Sequence, residues 1–153
     1  KITDTHRSAD CLYSYYRSSC AYRVRIALAY KGLAIDQQPI DLREGQQSGT
    51  DYLSLNPQGL VPALQISSAS ADTTSNLLTQ SLAIIEYLDE CHPTPALLPA
   101  GAQARAKVRA TAYQLAMDIQ PLNNLRVLQY LEQTTGFTPK QKQNWYQHWI
   151  HQG

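Results

Sequence analysis

No apolar run in these 153 residues approaches the ~20 residues of a membrane-spanning helix. The opening stretch, Lys1 to Asp10, is polar and lacks the apolar segment of a secretory signal. Residues 1–9 are expected to be a disordered lead-in. Charge of one sign is missing as well, since the formal net charge is +1, which implies no polyanion partner. The only local concentration of basic residues is Arg17, Arg23 and Arg25, too small to argue for nucleic acid. Cysteine is scarce: Cys11, Cys20 and Cys91 cannot all pair, and none forms a CxxC. Reduced thiols in a cytoplasmic protein are the simplest expectation, with no metal site. Cys11 and Cys91 are expected to be small buried hydrophobes. No internal repeat is visible. What is present, 43% hydrophobic and 16% charged residues, is the balance of a folded globular chain.

Cys11-Leu-Tyr-Ser-Tyr is a run of strand formers ending at the polar Arg17-Ser-Ser. From Ala21 a helical period takes over through Val24, Ala27 and Leu28, and Gly32 is a natural stop. Ile35 to Leu42 is expected to be a second strand and Arg43 to Thr50 a loop. A short helix around Tyr52 and Leu55 closes at Asn56-Pro57. Gln58 to Ile66 predicts a turn, a Val-Pro step and a strand, followed by an elongated hairpin tip over Ser67–Asn76. After Leu77-Leu78, Ser81 is expected to cap a helix carrying Leu82, Ile84, Ile85 and Leu88. The order is β-α-β-α-β-β-α.

His92-Pro-Thr-Pro breaks the chain, and Leu97-Leu98-Pro99 has the look of a docked linker. Beyond it everything is helical, from Ala102 to about Tyr130 with an interruption or bend at Pro121, then again from Pro139. An α/β unit followed by an all-α unit argues for two domains, 10–93 and 101–153. Fifty-odd helical residues are thin for an independent core. Either the chain is truncated at Gly153 and the second domain is incomplete, or this half folds only against the first domain.

Three features carry chemistry. Arg17-Ser18-Ser19-Cys20 puts two hydroxyls and a thiol where a strand hands over to a helix. Unpaired N–H groups and the positive end of the helix dipole stabilise a thiolate there, and a donating hydroxyl stabilises it further. Capping alone also accounts for Ser18 or Ser19. Val61-Pro62 opens a strand either at an edge or through a cis bond, and a cis bond would turn the Val61 backbone toward an extended peptide. Gln80-Ser81 heads another helix, a place for a carboxylate. A thiol site, a strand edge and an anion site together match the requirements of glutathione.

The segments Tyr13-Ser-Tyr-Tyr-Arg-Ser-Ser-Cys-Ala-Tyr-Arg-Val-Arg-Ile-Ala-Leu, Asn56-Pro-Gln-Gly-Leu-Val-Pro-Ala-Leu, Gln80-Ser-Leu-Ala-Ile-Ile-Glu-Tyr-Leu and Asp118-Ile-Gln-Pro-Leu-Asn-Asn-Leu resemble the zeta class of glutathione transferases. The resemblance implies a thioredoxin-like glutathione-binding domain followed by the all-helical transferase domain. It implies that Ser18, Ser19 and Cys20 are the catalytic motif, one serine bonding the glutathione sulfur and Cys20 lining the electrophile pocket. Gln47 would approach the glycine end of glutathione, Val61 its cysteinyl backbone, and Gln80 with Ser81 its γ-glutamyl carboxylate. Gln120, Asn124 and Arg126 would close the site, and Arg17 and Arg23 are the candidates for holding a substrate carboxylate.

The implied activity is conversion of maleylacetoacetate to fumarylacetoacetate in tyrosine and phenylalanine catabolism. A thiolate adds to the cis double bond, the resulting single bond rotates, and elimination leaves the trans isomer. Glutathione is regenerated and so serves as cofactor. Isomerisation of maleylpyruvate, transferase action on α-haloacids, and a non-catalytic glutathione- or protein-binding module are the alternatives. A homodimer and a small dicarboxylate-like substrate are further implied.

Overall fold

Alternation along Cys11-Leu12-Tyr13-Ser14 sends successive side chains to opposite faces, and in the computed structural model they lie in strand β1 (Ser8–Ser14). The structure describes residues 8–67 and 76–153, divided between two compact units, Lys1–Leu97 and Leu98–Gly153. Most of the expected lead-in lies outside the described residues, but Ser8 and Ala9 belong to β1.

In the first unit β1 is followed by α1 (Ser19–Lys31), β2 (Ile35–Pro39), α2 (Thr50–Leu55), β3 (Ala63–Gln65), β4 (Leu77–Thr79) and α3 (Ser81–Cys91). This is the β-α-β-α-β-β-α order expected from the sequence. The strands lie in the order β2-β1-β3-β4, with β1 parallel to β2 and antiparallel to β3, and β3 antiparallel to β4. β2 stops at Pro39 instead of reaching Leu42, because Pro39 is already opposite Ser14, the last residue of β1. α1 ends where expected, at Gly32 with φ 67°, a left-handed conformation that favours glycine. The hairpin between β3 and β4 closes at its base through Ile66 N–H donating to the Asn76 carbonyl at 2.8 Å. Its expected elongated tip, residues 68–75, lies outside the described residues.

Leu12 and Leu64 face each other across β1 and β3, and Val24 and Leu28 of α1 meet Ile84 and Leu88 of α3 in the same buried cluster. Spacings of four on both helices produce these stripes. Cys91 was expected in the core and is exposed. It is the last residue of α3, whose eleven residues span about 16 Å, well beyond the ~10 Å of the three-residue strands beneath. Cys11 is half-buried.

A charge sits in this core. The Lys31 side chain, fully buried, ends 2.7 Å from Asp89 Oδ1. Its ammonium also donates to the His92 carbonyl at 2.7 Å and the Pro95 carbonyl at 2.8 Å. Asp89 Oδ1 further accepts from Leu97 N–H at 2.8 Å. The segment after α3 is thus pinned to the ends of α1 and α3, in keeping with its expected docking.

The second unit comprises α4 (Ala102–Tyr113), a π-helical stretch Gln114–Ile119, a 3-10 turn Pro121–Asn123, α5 (Leu125–Thr135) and α6 (Pro139–Gln152). Of the two outcomes expected at Pro121, an interruption or a bend, the helix is interrupted. Pro121 cannot donate to the helical ladder, and Asn124 leaves helical geometry with ψ 145° before capping α5. α6 opens on a capping box between Thr138 and Gln141. Trp145 Nε1 donates to the Leu122 carbonyl at 2.9 Å. None of this unit's residues is buried, as a small helical core leads one to expect. Among the described residues no helix is long and apolar enough to cross a membrane.

Candidate active site at the strand ends

The register of the sheet gathers the residues of interest at one edge. Tyr13 pairs with Ala63, and Ala63 with Thr79. The carboxyl end of β1, the amino end of β3 and the carboxyl end of β4 therefore lie side by side. Ser14 opposite Pro39 adds the end of β2. Ser18 follows β1, Val61 precedes β3, Gln80 follows β4, and the loop bearing Gln47 follows β2. Strand carboxyl ends are where open α/β sheets hold ligands.

Ser18 is the N-cap of α1, its Oγ accepting from Ala21 N–H at 3.2 Å. Its carbonyl accepts from Tyr22 N–H at 2.8 Å. With those two amides engaged, the N–H groups of Ser19 and Cys20 remain as the helix's free positive end. Capping and function coexist, because a hydroxyl that accepts still has a proton to donate. Ser18 is half-buried and Ser19 exposed.

The Cys20 thiol is pushed above its ordinary value by burial, opposed by the Arg23 charge and a hydrogen bond with Ser19. Burial thus favours the neutral form of the Cys20 thiol. The folded chain holds the Cys20 proton to higher pH than the unfolded chain. Its contribution to stability is complete below the ordinary thiol range and is lost as pH rises through the folded value. Cys20→Ala is expected to flatten the alkaline limb of the stability curve, read as urea midpoints from about pH 8 to 11. Superimposable limbs would mean that the thiol titrates as it does in water.

Gln47 sits in a 3-10 turn, Gln46–Ser48, with Oε1 buried and unpartnered. Its loop is organised by Asp41, which takes two bonds from the Arg43 side chain and so has its carboxyl held below the usual range. The Gln47 carbonyl lies 3.0 Å from where a Cβ on Gly59 would stand, and Gly59 has φ +60°. Only glycine lets these two turns approach.

Val61 is outside the strand ladder, which begins at Ala63, and its bond to Pro62 is cis. The turn that delivers it is built by Asn56, 1% exposed, whose Nδ2 donates to the Leu60 carbonyl at 2.9 Å. Tyr52 OH donates to the same carbonyl at 2.7 Å. Sequence reasoning took Asn56-Pro57 as a helix stop only. An Asn two residues before Gln58, whose N–H its Oδ1 accepts, is an Asx-turn signal that could have found it.

Ser81 was expected as a cap and is instead the first residue of α3, buried. Gln80 holds the cap position, exposed, with φ 69° and no side-chain cap bond. It is the one non-glycine residue with positive φ among the described residues. Strain at such a position accompanies function often enough to mark it. Arg17 is exposed and Arg23 half-buried. Gln120, Asn124 and Arg126 belong to the second unit. There Asn124 Oδ1 accepts from Arg126 N–H at 3.1 Å as the cap of α5, and Arg126 is exposed.

A cavity of about 670 Å³ lies elsewhere in the first unit, between the sheet and α2, lined by Cys11, Tyr13, Gln38, Asp51 and Tyr52 among others. None of the expected site residues lines it. Among the described residues no group of His, Cys, Asp and Glu could hold a metal ion.

Residues 17–91 match the N-terminal domain of glutathione S-transferase. The chain is 46% identical over 144 residues to a probable maleylacetoacetate isomerase of Vibrio cholerae, covering 93% of this chain and 64% of that protein. Among solved structures it resembles a bacterial maleylpyruvate isomerase described as a zeta-class glutathione S-transferase, with TM-score 0.84 and 42% identity over 93% of this chain and 64% of the other. It also resembles the maleylacetoacetate isomerase of Methylobacterium extorquens, solved with malonate and glutathione, with TM-score 0.83 and 37% identity at the same coverage. The chain spans just under two thirds of the length of these relatives. Fold, motifs and matches agree in one likeness, that of this chain to the glutathione S-transferases and, among them, to a structure of the zeta class.

Proposed function

We propose that this protein is an enzyme that isomerises a cis double bond conjugated to carbonyls, with glutathione as cofactor. The substrate assigned to it is maleylacetoacetate, converted to fumarylacetoacetate in tyrosine and phenylalanine catabolism. The observation that carries this reading is the Ser18 hydroxyl at the free positive end of α1, on the sheet edge shared with Gln47, Val61 and Ser81.

The residues present fit glutathione. A buried, unpartnered Gln47 Oε1 calls for an amide N–H, and a Val61 backbone outside the ladder suits an extended tripeptide. The amino end of α3 at Ser81 suits a carboxylate. Glutathione, when bound, supplies a thiolate for reversible addition to the cis double bond. Ser18 donates its proton to the sulfur, and the Ser19 and Cys20 amides add the field of the helix end. Arg23, whose charge already favours an ionised Cys20, stabilises negative charge developing beside the turn. Exposed Arg17 is placed to meet a substrate carboxylate. Cys20, a neutral thiol, lines the electrophile side.

The fit of a bacterial maleylpyruvate isomerase favours that shorter acid as the second reading, through the same chemistry. The test is isomerisation of maleylacetoacetate and maleylpyruvate by the purified protein, with and without glutathione. Glutathione-dependent turnover of the longer acid is expected. Turnover of neither acid, with glutathione bound, would sink the isomerase reading in favour of haloacid transfer or a binding module. The protein is placed in the cytoplasm and as a homodimer, and a pure monomer by light scattering would overturn the latter.

A further inference from the structure

The strand-to-helix turn that holds Ser18 is itself held by a cation. The half-buried Arg25 lies on α1 and reaches back toward the helix start, as helical side chains do. Its Nη1 donates to Ser14 Oγ at 2.8 Å and to the Tyr15 carbonyl at 3.2 Å, and its Nη2 donates to the Tyr16 carbonyl at 3.0 Å. Ser14 ends β1 and is 5% exposed. One guanidinium therefore ties the end of the strand, both peptides of the turn and the helix into a single unit.

We propose that Arg25 is a positioning residue for the thiolate site, an inference that rests on the glutathione-dependent reading above. Because a peptide unit is planar and trans, fixing a carbonyl fixes the next N–H in the opposite direction. Engaging the Tyr15 and Tyr16 oxygens thus orients the amides of Tyr16 and Arg17. It also keeps two carbonyl dipoles committed to a cation, so neither is free to turn its negative end toward a sulfur anion. The Tyr15 carbonyl in addition accepts from Ser18 N–H at 3.0 Å, which links the guanidinium to Ser18 through a single peptide unit. Only a planar fork makes all three contacts. Lysine keeps the charge and loses the geometry.

The experiment compares Arg25→Lys and Arg25→Met with the wild type in the full chain. The readouts are the ultraviolet thiolate titration of bound glutathione, kcat and KM, and thermal unfolding. Both variants are expected to raise the bound thiol's pKa by about one unit and to lower kcat at neutral pH about tenfold. KM for glutathione should stay within about threefold. A merely structural role would lower the melting temperature and leave the titration in place. If Arg25→Met does not fold, Arg25→Lys decides alone. A lysine variant with the wild-type titration and kcat would overturn the proposal. If the wild type itself shows no bound thiolate, the functional reading fails, and amide hydrogen exchange at Arg17 and Ser18 then judges Arg25. Faster exchange in both variants supports the clamp, and unchanged exchange removes it.

Discussion

Asp89→Ala is expected to destabilise the protein by about 3–5 kcal/mol, the cost of leaving a buried charge without its partner. The Lys31 side chain is fully buried and Asp89 is 13% exposed, so little solvent is available to replace the carboxylate. The loss is compounded at Leu97, whose N–H donates to the same oxygen. Against a typical total of about 5–15 kcal/mol this is a large fraction, visible as a fall in the urea midpoint at unchanged slope. Asp89→Asn separates charge from hydrogen bonding, because it keeps an acceptor for Lys31 and Leu97. It should recover part of the loss. A midpoint for Asp89→Ala equal to that of the wild type would mean that the ammonium finds water, contrary to its burial.

Ser18→Ala is expected to lower glutathione-dependent kcat by about 10²–10³, the usual effect of removing one preorganised donor at a developing or resident anion. Two consequences separate here. Losing the N-cap bond to Ala21 costs about 0.5–2 kcal/mol of stability, which thermal melts read. Losing the proton donor raises the pKa of the bound thiol, which the thiolate absorbance reads. Ser18→Thr keeps both functions and should retain much of the activity. Ser19, exposed and bonded to Cys20, should matter less. If Ser19→Ala carried the large loss and Ser18→Ala stayed within about threefold, the two serines would have to exchange roles.

Local pattern alone was enough for the element order of the first unit. The strand run at Cys11, the helical period from Ala21 and the stop at Gly32 are short-range signals, and each reappears in the structure. The residues Ser18, Val61 and Gln80 were legible for the same reason: each stands at a strand–helix or turn–strand junction. Boundaries were less legible. β2 ends where β1 runs out of partners, and Cys91 is exposed because α3 outruns the strands beneath it. Neither fact is local.

The sequence by itself determined the β-α-β-α-β-β-α frame, the helical second unit and the serine-rich start of α1. These follow from hydrophobic period and turn chemistry, which operate over a few residues. Tertiary structure alone decided that Ser18, Gln47, Val61 and Gln80 share one sheet edge, because only strand register sets that. It decided that the Cys20 thiol is pushed above its ordinary value, since burial depends on what packs around it. It also decided that Arg25 clamps the turn and that Lys31 is buried against Asp89. Both are charged residues a pattern assigns to solvent, and each is tied down by oxygens that come together only when the chain folds.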